Sequence, residues 1–147
     1  MKLSIVISMG VALALGAWAA ETKVKMQDLP PAVQAAVKEQ TKNATLVGLA
    51  KEVEKGKTLY EAETKVNGKT RDISFDSTGK IVSVEEEVDI SSIPAAARTA
   101  IEKKAAGAKI KLVETVTESG KTWYEAAIEK GGKSSEFVVN ADGSVHK

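Results

Sequence analysis

The chain contains no cysteine. That excludes disulfide bonds, thiolate nucleophiles and thiolate metal ligands at a stroke. Histidine is nearly absent too, with a single copy, His146, beside the C-terminus. A serine–histidine–acid site would have to be built on that terminal residue, and a zinc site needs three or four nitrogen or sulfur ligands. Gly-Lys pairs recur at Gly56-Lys57, Gly68-Lys69 and Gly132-Lys133. Each falls in a hairpin, and none has the glycine spacing of a phosphate loop opening a helix. No catalytic, cofactor-binding or metal-binding residue is therefore expected, and the chain is read as a non-enzyme. Aromatic residues are 4% of the chain, too few to line a generous apolar pocket. No sign of charge prevails: 21 basic residues face 20 acidic ones. Such a balance offers no basic field for nucleic acid and no cationic stripe for a membrane surface.

One long apolar run exists, at the start. Lys2 precedes Leu3 to Ala17, followed by Ala17-Trp18-Ala19. A basic start, an apolar middle and a small-x-small site form a secretory leader, residues 1–19, cleaved after Ala19. Gly10 and Gly16 interrupt the run, which is short for a membrane span of about 20 residues. The mature protein is expected in the periplasm or secreted, with no stable membrane anchor.

An internal repeat organises the rest of the chain. Residues 29–83 align with 93–147 without a gap, with 14 of 55 positions identical. Gly56-Lys57-Thr58-Leu59-Tyr60-Glu61-Ala62 corresponds to Gly120-Lys121-Thr122-Trp123-Tyr124-Glu125-Ala126. The punctuation agrees as well as the side chains. Asp28 and Ser92 are placed to cap helices. Asn43 and Gly107 fall where those helices end and suit a left-handed residue. Asn67-Gly68 and Gly131-Gly132 suit type I′ hairpins. Asp76-Ser77-Thr78-Gly79 and Asn140-Ala141-Asp142-Gly143 suit turns opened by an Asx side chain.

The fold class is α+β. Two tandem units are expected, residues 20–88 and 89–147, each one helix packed on a four-stranded antiparallel meander, the sheets side by side. The helices are expected near 30–42 and 94–106. The strands are expected near 45–54, 57–66, 69–76 and 80–88, then 109–118, 121–130, 133–140 and a clipped 144–147. Alternation puts Tyr60, Ala62, Thr64 and Ile73, with Phe75 and Tyr124, Ala126 and Ile128, under the helices. Val33, Val37, Ala97 and Ile101 form the packing stripes. The opposite sheet face is polar and rich in glutamate.

Four glutamate and aspartate positions stand together, Glu85-Glu86-Glu87 with Asp89. Calcium could use such carboxylates. Strand geometry, however, sends Glu85 and Glu87 to one face and Glu86 to the other. Trp123 falls on the glutamate face beside Glu125 and Glu129, with Leu59 and Glu61 equivalent in the first unit. Trp123 and Leu59 either cover the sheet edge or serve as exposed anchors for a partner. Trp123, Leu59, Glu61, Glu125 and Glu129 are the candidate partner-binding residues.

The motif Gly-Lys-Thr-x-Tyr-Glu-Ala leading to Gly-Lys, then Phe75-Asp76-Ser77-Thr78-Gly79-Lys80, resembles the PepSY-like repeat of bacterial envelope proteins. The Leu29-Pro30 helix start belongs to the same pattern. Unit one carries it fully; Val139-Asn140-Ala141-Asp142-Gly143 departs from it in unit two. The resemblance implies an architecture similar to the beta-lactamase inhibitor protein, with two units sharing one concave surface. It also implies a binding role, toward an exported protein such as a peptidase that it inhibits or modulates. The competing reading is an envelope sensor or chaperone-like module that binds a small ligand, lipid or metal ion.

Overall fold

Paired left-handed residues set the architecture. Asn67 and Gly68 have φ of 52° and 83°, and Gly131 and Gly132 have 58° and 77°. These are the conformations of a type I′ turn, whose twist matches that of the strands it joins. Ser119 and Gly120, at 50° and 76°, form a third. Each such turn lays a strand against the one before it.

The computed structural model describes residues 21–54 and 56–147; the expected leader, 1–19, lies outside them. In chain order the elements are β1 (Thr22–Lys23), α1 (Pro31–Gln40), β2 (Thr45–Glu54), β3 (Lys57–Val66), β4 (Lys69–Asp76) and β5 (Ile81–Glu87). Beyond them come α2 (Ala95–Lys104), β6 (Lys109–Glu118), β7 (Lys121–Lys130) and β8 (Lys133–Val139). All eight strands form one antiparallel sheet in sequence order.

That corrects the expectation of one sheet per unit. β5 pairs directly with β6, from Ser83↔Glu118 to Glu87↔Glu114. An unpaired β5 edge would expose a row of backbone donors and acceptors; pairing it to β6 satisfies them. At the far edge β1, which was not foreseen, pairs Thr22↔Lys51 and Lys23↔Ala50. The clipped last strand reduces to a single bridge, Val139↔Val145.

The helices are shorter than expected at both ends, and neither Asp28 nor Ser92 caps one. Each instead closes a 3-10 turn. The Lys25 backbone N–H donates to the Asp28 carboxylate at 3.0 Å, and the Ser92 hydroxyl donates to the Asp89 carbonyl at 2.7 Å. The cause is the Leu/Ile-Pro pair that comes next. A residue before proline is driven out of the α region, and Leu29 (ψ 150°) and Ile93 (ψ 162°) are extended. Pro30 and Pro94 then become the last non-helical residues. At the other end Gly107 is left-handed at φ 75°, but Asn43 is not. The Thr41 hydroxyl bonds the Val37 carbonyl at 2.8 Å and helps close that helix instead.

Both helices lie on one side of the sheet. Leu29, Val33, Val37, Leu49, Ala62, Ile73 and Phe75 pack together beneath α1. Ile93, Ala97, Ile101, Ala105, Val113, Ala126, Ile128 and Val139 pack beneath α2. The first core continues through half-buried Val84 of β5. The helix-side alternation predicted for β3, β4 and β7 is the one observed.

The repeat extends into the backbone. β2 and β6 carry bulges at Leu46/Gly48 and Ile110/Leu112, 64 positions apart. Gly79 and Gly143, also 64 apart, have φ of 80° and 83°. A Cβ there would stand 2.6 Å from the Ala32 carbonyl oxygen and 2.7 Å from that of Ala96. Only glycine lets these turns press against the first turn of their helix.

Candidate functional site

Among the described residues no element covers the other side of the sheet. Residues paired across antiparallel strands share a face, so the register reads that face directly. One row runs Gly48–Glu63–Asp72–Glu85–Val116–Trp123 across β2 to β7. A parallel row runs Glu87–Glu114–Glu125–Val138 across β5 to β8. A third runs Ala50–Glu61–Ser74–Ser83–Glu118–Lys121. Glu136 joins the second row from beside Ala127.

This face is not a solvated glutamate surface. Glu85, Glu114 and Glu125 are 8%, 5% and 4% exposed. Gly48 contributes by omission, since a Cβ there would stand 3.0 Å from Glu63 Oε2.

Burial disfavours the charged form of a carboxyl, and neighbouring carboxylates add to the penalty. Burial first, then the Glu114 and Glu125 charges, push Glu85 up to about 9. Burial and Asp72 push Glu61 up to about 8. Glu114 rises to about 7 through burial and Asp72, despite the Thr70 hydroxyl. Asp72 rises to about 6 through burial, held back by the Thr64 backbone N–H, which donates to its Oδ1 at 3.2 Å. Burial raises both Glu125 and Glu136, and the Glu136 charge raises Glu125 further.

Hydrogen bonds serve part of the face. Thr70 donates its backbone N–H to Glu87 Oε2 at 3.0 Å, and its hydroxyl lies 3.4 Å from both Glu87 Oε2 and Glu114 Oε1. Among the described residues Glu85 has neither a hydrogen bond nor an ion pair. Nearby cations turn elsewhere. Arg71 goes to the helix side, 3.2 Å from Glu86 and 3.3 Å from Gln40. Lys69 pairs with Asp89 at 2.9 Å. The Glu85-Glu86-Glu87 run is thus split as strand geometry requires, with Asp89 engaged separately. Among the described residues no three acidic or histidine side chains converge as a metal site.

The structure places each candidate residue. Glu61 and Leu59 are half-buried on the open face. Glu125 is there too, but buried. Glu129 lies at the end of the face, 3.7 Å from Lys111. Trp123 is on this face but only 5% exposed, which corrects its reading as an exposed anchor. His146 covers it, the two rings stacked with centroids 4.3 Å apart. The tail that carries His146 is docked rather than frayed: its backbone N–H donates to the Val138 carbonyl at 3.0 Å, and its Nδ1 lies 2.8 Å from Asn140 Oδ1.

Sequence reasoning missed Asp72, Glu85, Glu114 and Glu136 as parts of one site. A signal was present. Glu61 and Glu125, like Asp72 and Glu136, are 64 positions apart, and all four fall on open-face parity. The acids were duplicated with the turns.

A groove of about 360 Å³ lies on the helix side, at the end of α1, lined by Glu39, Gln40, Lys42, Arg71 and Glu86 among others. It is polar and open. No helix among the described residues is long and apolar enough to cross a membrane.

Known proteins share this architecture. A family model described as "Putative beta-lactamase-inhibitor-like, PepSY-like" matches the chain twice, over residues 14–83 and 60–147. No curated protein matches it. Among solved structures, a periplasmic protein from Bacteroides eggerthii superposes with a TM-score of 0.66 at 19% identity, covering 81% of this chain and 86% of that one. A DUF2874 family protein from Bacteroides uniformis gives 0.62 at 19% identity, covering 80% and 86%. A BLIP-like protein from Bacteroides fragilis gives 0.57 at 22% identity, covering 81% and 84%. At these identities the likeness is one of fold.

Proposed function

The chain belongs to the PepSY-like, beta-lactamase-inhibitor-like family, and from that premise we propose that it is an exported, non-catalytic binding protein that grips an exported protein with the open face of its sheet. One observation carries the reading: a single eight-stranded sheet has both helices on one side and offers the whole of the other to a partner. The face is wide, its backbone is fixed by seven strand pairings, and it is continuous across the join between the two repeated halves. Among the described residues it holds carboxyls, hydroxyls and a covered indole. Rigid surfaces of this kind bind with little ordering cost.

Export rests on the leader read in residues 1–19, and the "periplasmic" description of the Bacteroides eggerthii neighbour supports it. The partner class that the resemblance implies is a peptidase, held in an inhibited or modulated state. The small-ligand alternative has less support, because the groove beside α1 is charged and open rather than apolar and enclosed.

Affinity capture tests this. Residues 20–147, immobilised at about micromolar concentration, should retain an envelope protein stoichiometrically. Ser74→Arg, at the centre of the face, should abolish retention while leaving the melt intact. A partner held equally by wild type and Ser74→Arg would place binding elsewhere. An extract that yields no partner at all would remove the reading. Inhibition is a separate measurement, made on the captured protein's own activity.

A further inference from the structure

The acids of the open face are arranged as a ladder, not a cluster. Glu63, Asp72 and Glu85 stand one per strand on β3, β4 and β5; Glu87, Glu114 and Glu125 stand one per strand on β5, β6 and β7. Strand spacing puts successive rungs about 4.8 Å apart. The two rows overlap at β5, so the ladder crosses the join between the repeated halves.

Two observations call for an occupant. Glu85, at the overlap, is 8% exposed and has no hydrogen bond or ion pair among the described residues. No fully enclosed side-chain oxygen among those residues lacks a partner, so the Glu85 oxygens are among those that still touch the open side. The carboxyl is therefore aimed out of the sheet with nothing on it. Secondly, among the described residues every charged group acting on Glu61, Glu85 or Glu114 is another carboxylate. A buried ionisable group is normally supplied with its counter-charge by the fold. Here the fold withholds it: Arg71 and Lys69, flanking Thr70 on the central strand, are engaged away from the ladder.

We propose that this face is the docking surface for an extended lysine- and arginine-bearing polypeptide segment, whose cations supply the counter-charges that the ladder lacks. The inference rests on the binding reading above and names the chemistry of the partner. Charge complementarity selects the sign. Geometry selects the form. A hard metal ion needs six to eight oxygens about one point, whereas these acids are strung along a line and no three among the described residues converge. From Glu63 to Trp123 the row crosses five strands, about 19 Å, which an extended chain spans with about six residues. Same-side basic side chains on such a segment recur every second residue, about 6.6 Å, so they are not in strict register with rungs about 4.8 Å apart and reach them through their long flexible stems.

A peptide titration tests it. The probes are an eight-residue oligolysine and an oligoglutamate of the same length, with calcium chloride alone as a third arm. Oligolysine should bind one-to-one at low salt near pH 8, with a Kd below about 100 μM, and oligoglutamate should not. The double variant Glu85→Gln/Glu114→Gln, which keeps shape and removes the carboxyls that a bound cation would hold ionised, should weaken binding at least about tenfold. Glu102→Gln, on the exposed side of α2, should leave it unchanged. Lowering the pH toward about 5.5 should weaken binding by a similar factor, because Glu85 and the acids that face it from β3, β4, β6, β7 and β8 (Glu61, Asp72, Glu114, Glu125 and Glu136) must release protons to pair with the cations, and that release costs more at lower pH.

Binding insensitive to the double variant would overturn the proposal. So would no binding up to about 1 mM, or calcium that binds in the micromolar range, displaces the peptide and is lost in the same variant. If oligolysine fails while Ser74→Arg still abolishes capture of an envelope partner, the cationic identity is wrong and the binding reading stands. If both fail, both fall.

Discussion

Glu85 separates stability from function at the level of one side chain. Its carboxyl is ionised in an unfolded chain above about pH 4.5 but held protonated in the fold up to about 9. Across that window the fold loses stability as pH rises. Glu85→Gln removes the penalty and keeps the shape. The variant should melt higher than wild type at pH 8, by several kcal/mol of stability, and match it near pH 4. A variant no more stable at pH 8 would show that the site is better hydrated than its burial implies. Stabilisation at the same position that weakens oligolysine binding is the signature of a group kept for a partner. Trp123 makes the opposite case. It is large and aromatic, yet His146 seals it through a stack and a backbone bond from the tail. With the leader removed it is the sole tryptophan, so its emission reports the seal. His146→Ala should red-shift that emission and cost about 1 kcal/mol. Unchanged emission would mean that the tail does not cover the indole in solution.

Turns and helices explain why so much of the fold was legible in sequence and why some was not. Hairpin glycines are read from local conformation, so β3, β4 and β7 could be placed to the residue and β8 to within one residue at its end. The helix starts were misjudged because a cap residue and a proline compete over the same two bonds, and proline wins at Leu29 and Ile93. The β5–β6 pairing depends on a 21-residue connection folding back, and no local signal encodes it. The candidate site was half legible. Alternation identified its face as polar, but nothing local marks Glu85, Glu114 and Glu125 as buried, a state glutamate seldom adopts. Their burial comes from neighbours on other strands. One element-level contact yields a graded test. Gly79→Ala must strain a left-handed residue and also drive a Cβ to 2.6 Å from the Ala32 backbone oxygen. Gly120→Ala meets only the strain, with nothing within 4 Å. Gly120→Ala should cost about 1 kcal/mol and Gly79→Ala about 3 kcal/mol or more. Equal costs in thermal denaturation would mean that the Gly79 turn can lift off α1 freely.

At the scale of the molecule, formal neutrality conceals a division by face. Residues 20–147 have as many basic as acidic residues, but the acids of the ladder stand together and Lys69 and Arg71 beside them pair elsewhere. Two sets of carboxyls then act in opposite directions on stability. Asp76 and Asp142, in the exposed turns, are held below the usual range chiefly by the Thr78 and Ser144 hydroxyls. Their contribution is present above the unfolded value and lost as pH falls. Glu61, Asp72, Glu85 and Glu114 are raised to about 8, 6, 9 and 7. Their contribution is present at low pH and lost progressively between about pH 4.5 and 9. The buried set is larger and less screened, so it governs. The melting temperature of the free protein should peak in mildly acidic solution, near about pH 4–5, and decline steadily toward about pH 9. Most proteins whose carboxylates are paired lose stability in the other direction. A melting temperature that climbs from about pH 5 to about pH 8 would mean that the ladder is already neutralised by the protein itself, and would remove the need for a cationic occupant. Saturating oligolysine should flatten or reverse the decline, because a counter-charge on the face restores the stability of the ionised acids where it was being lost.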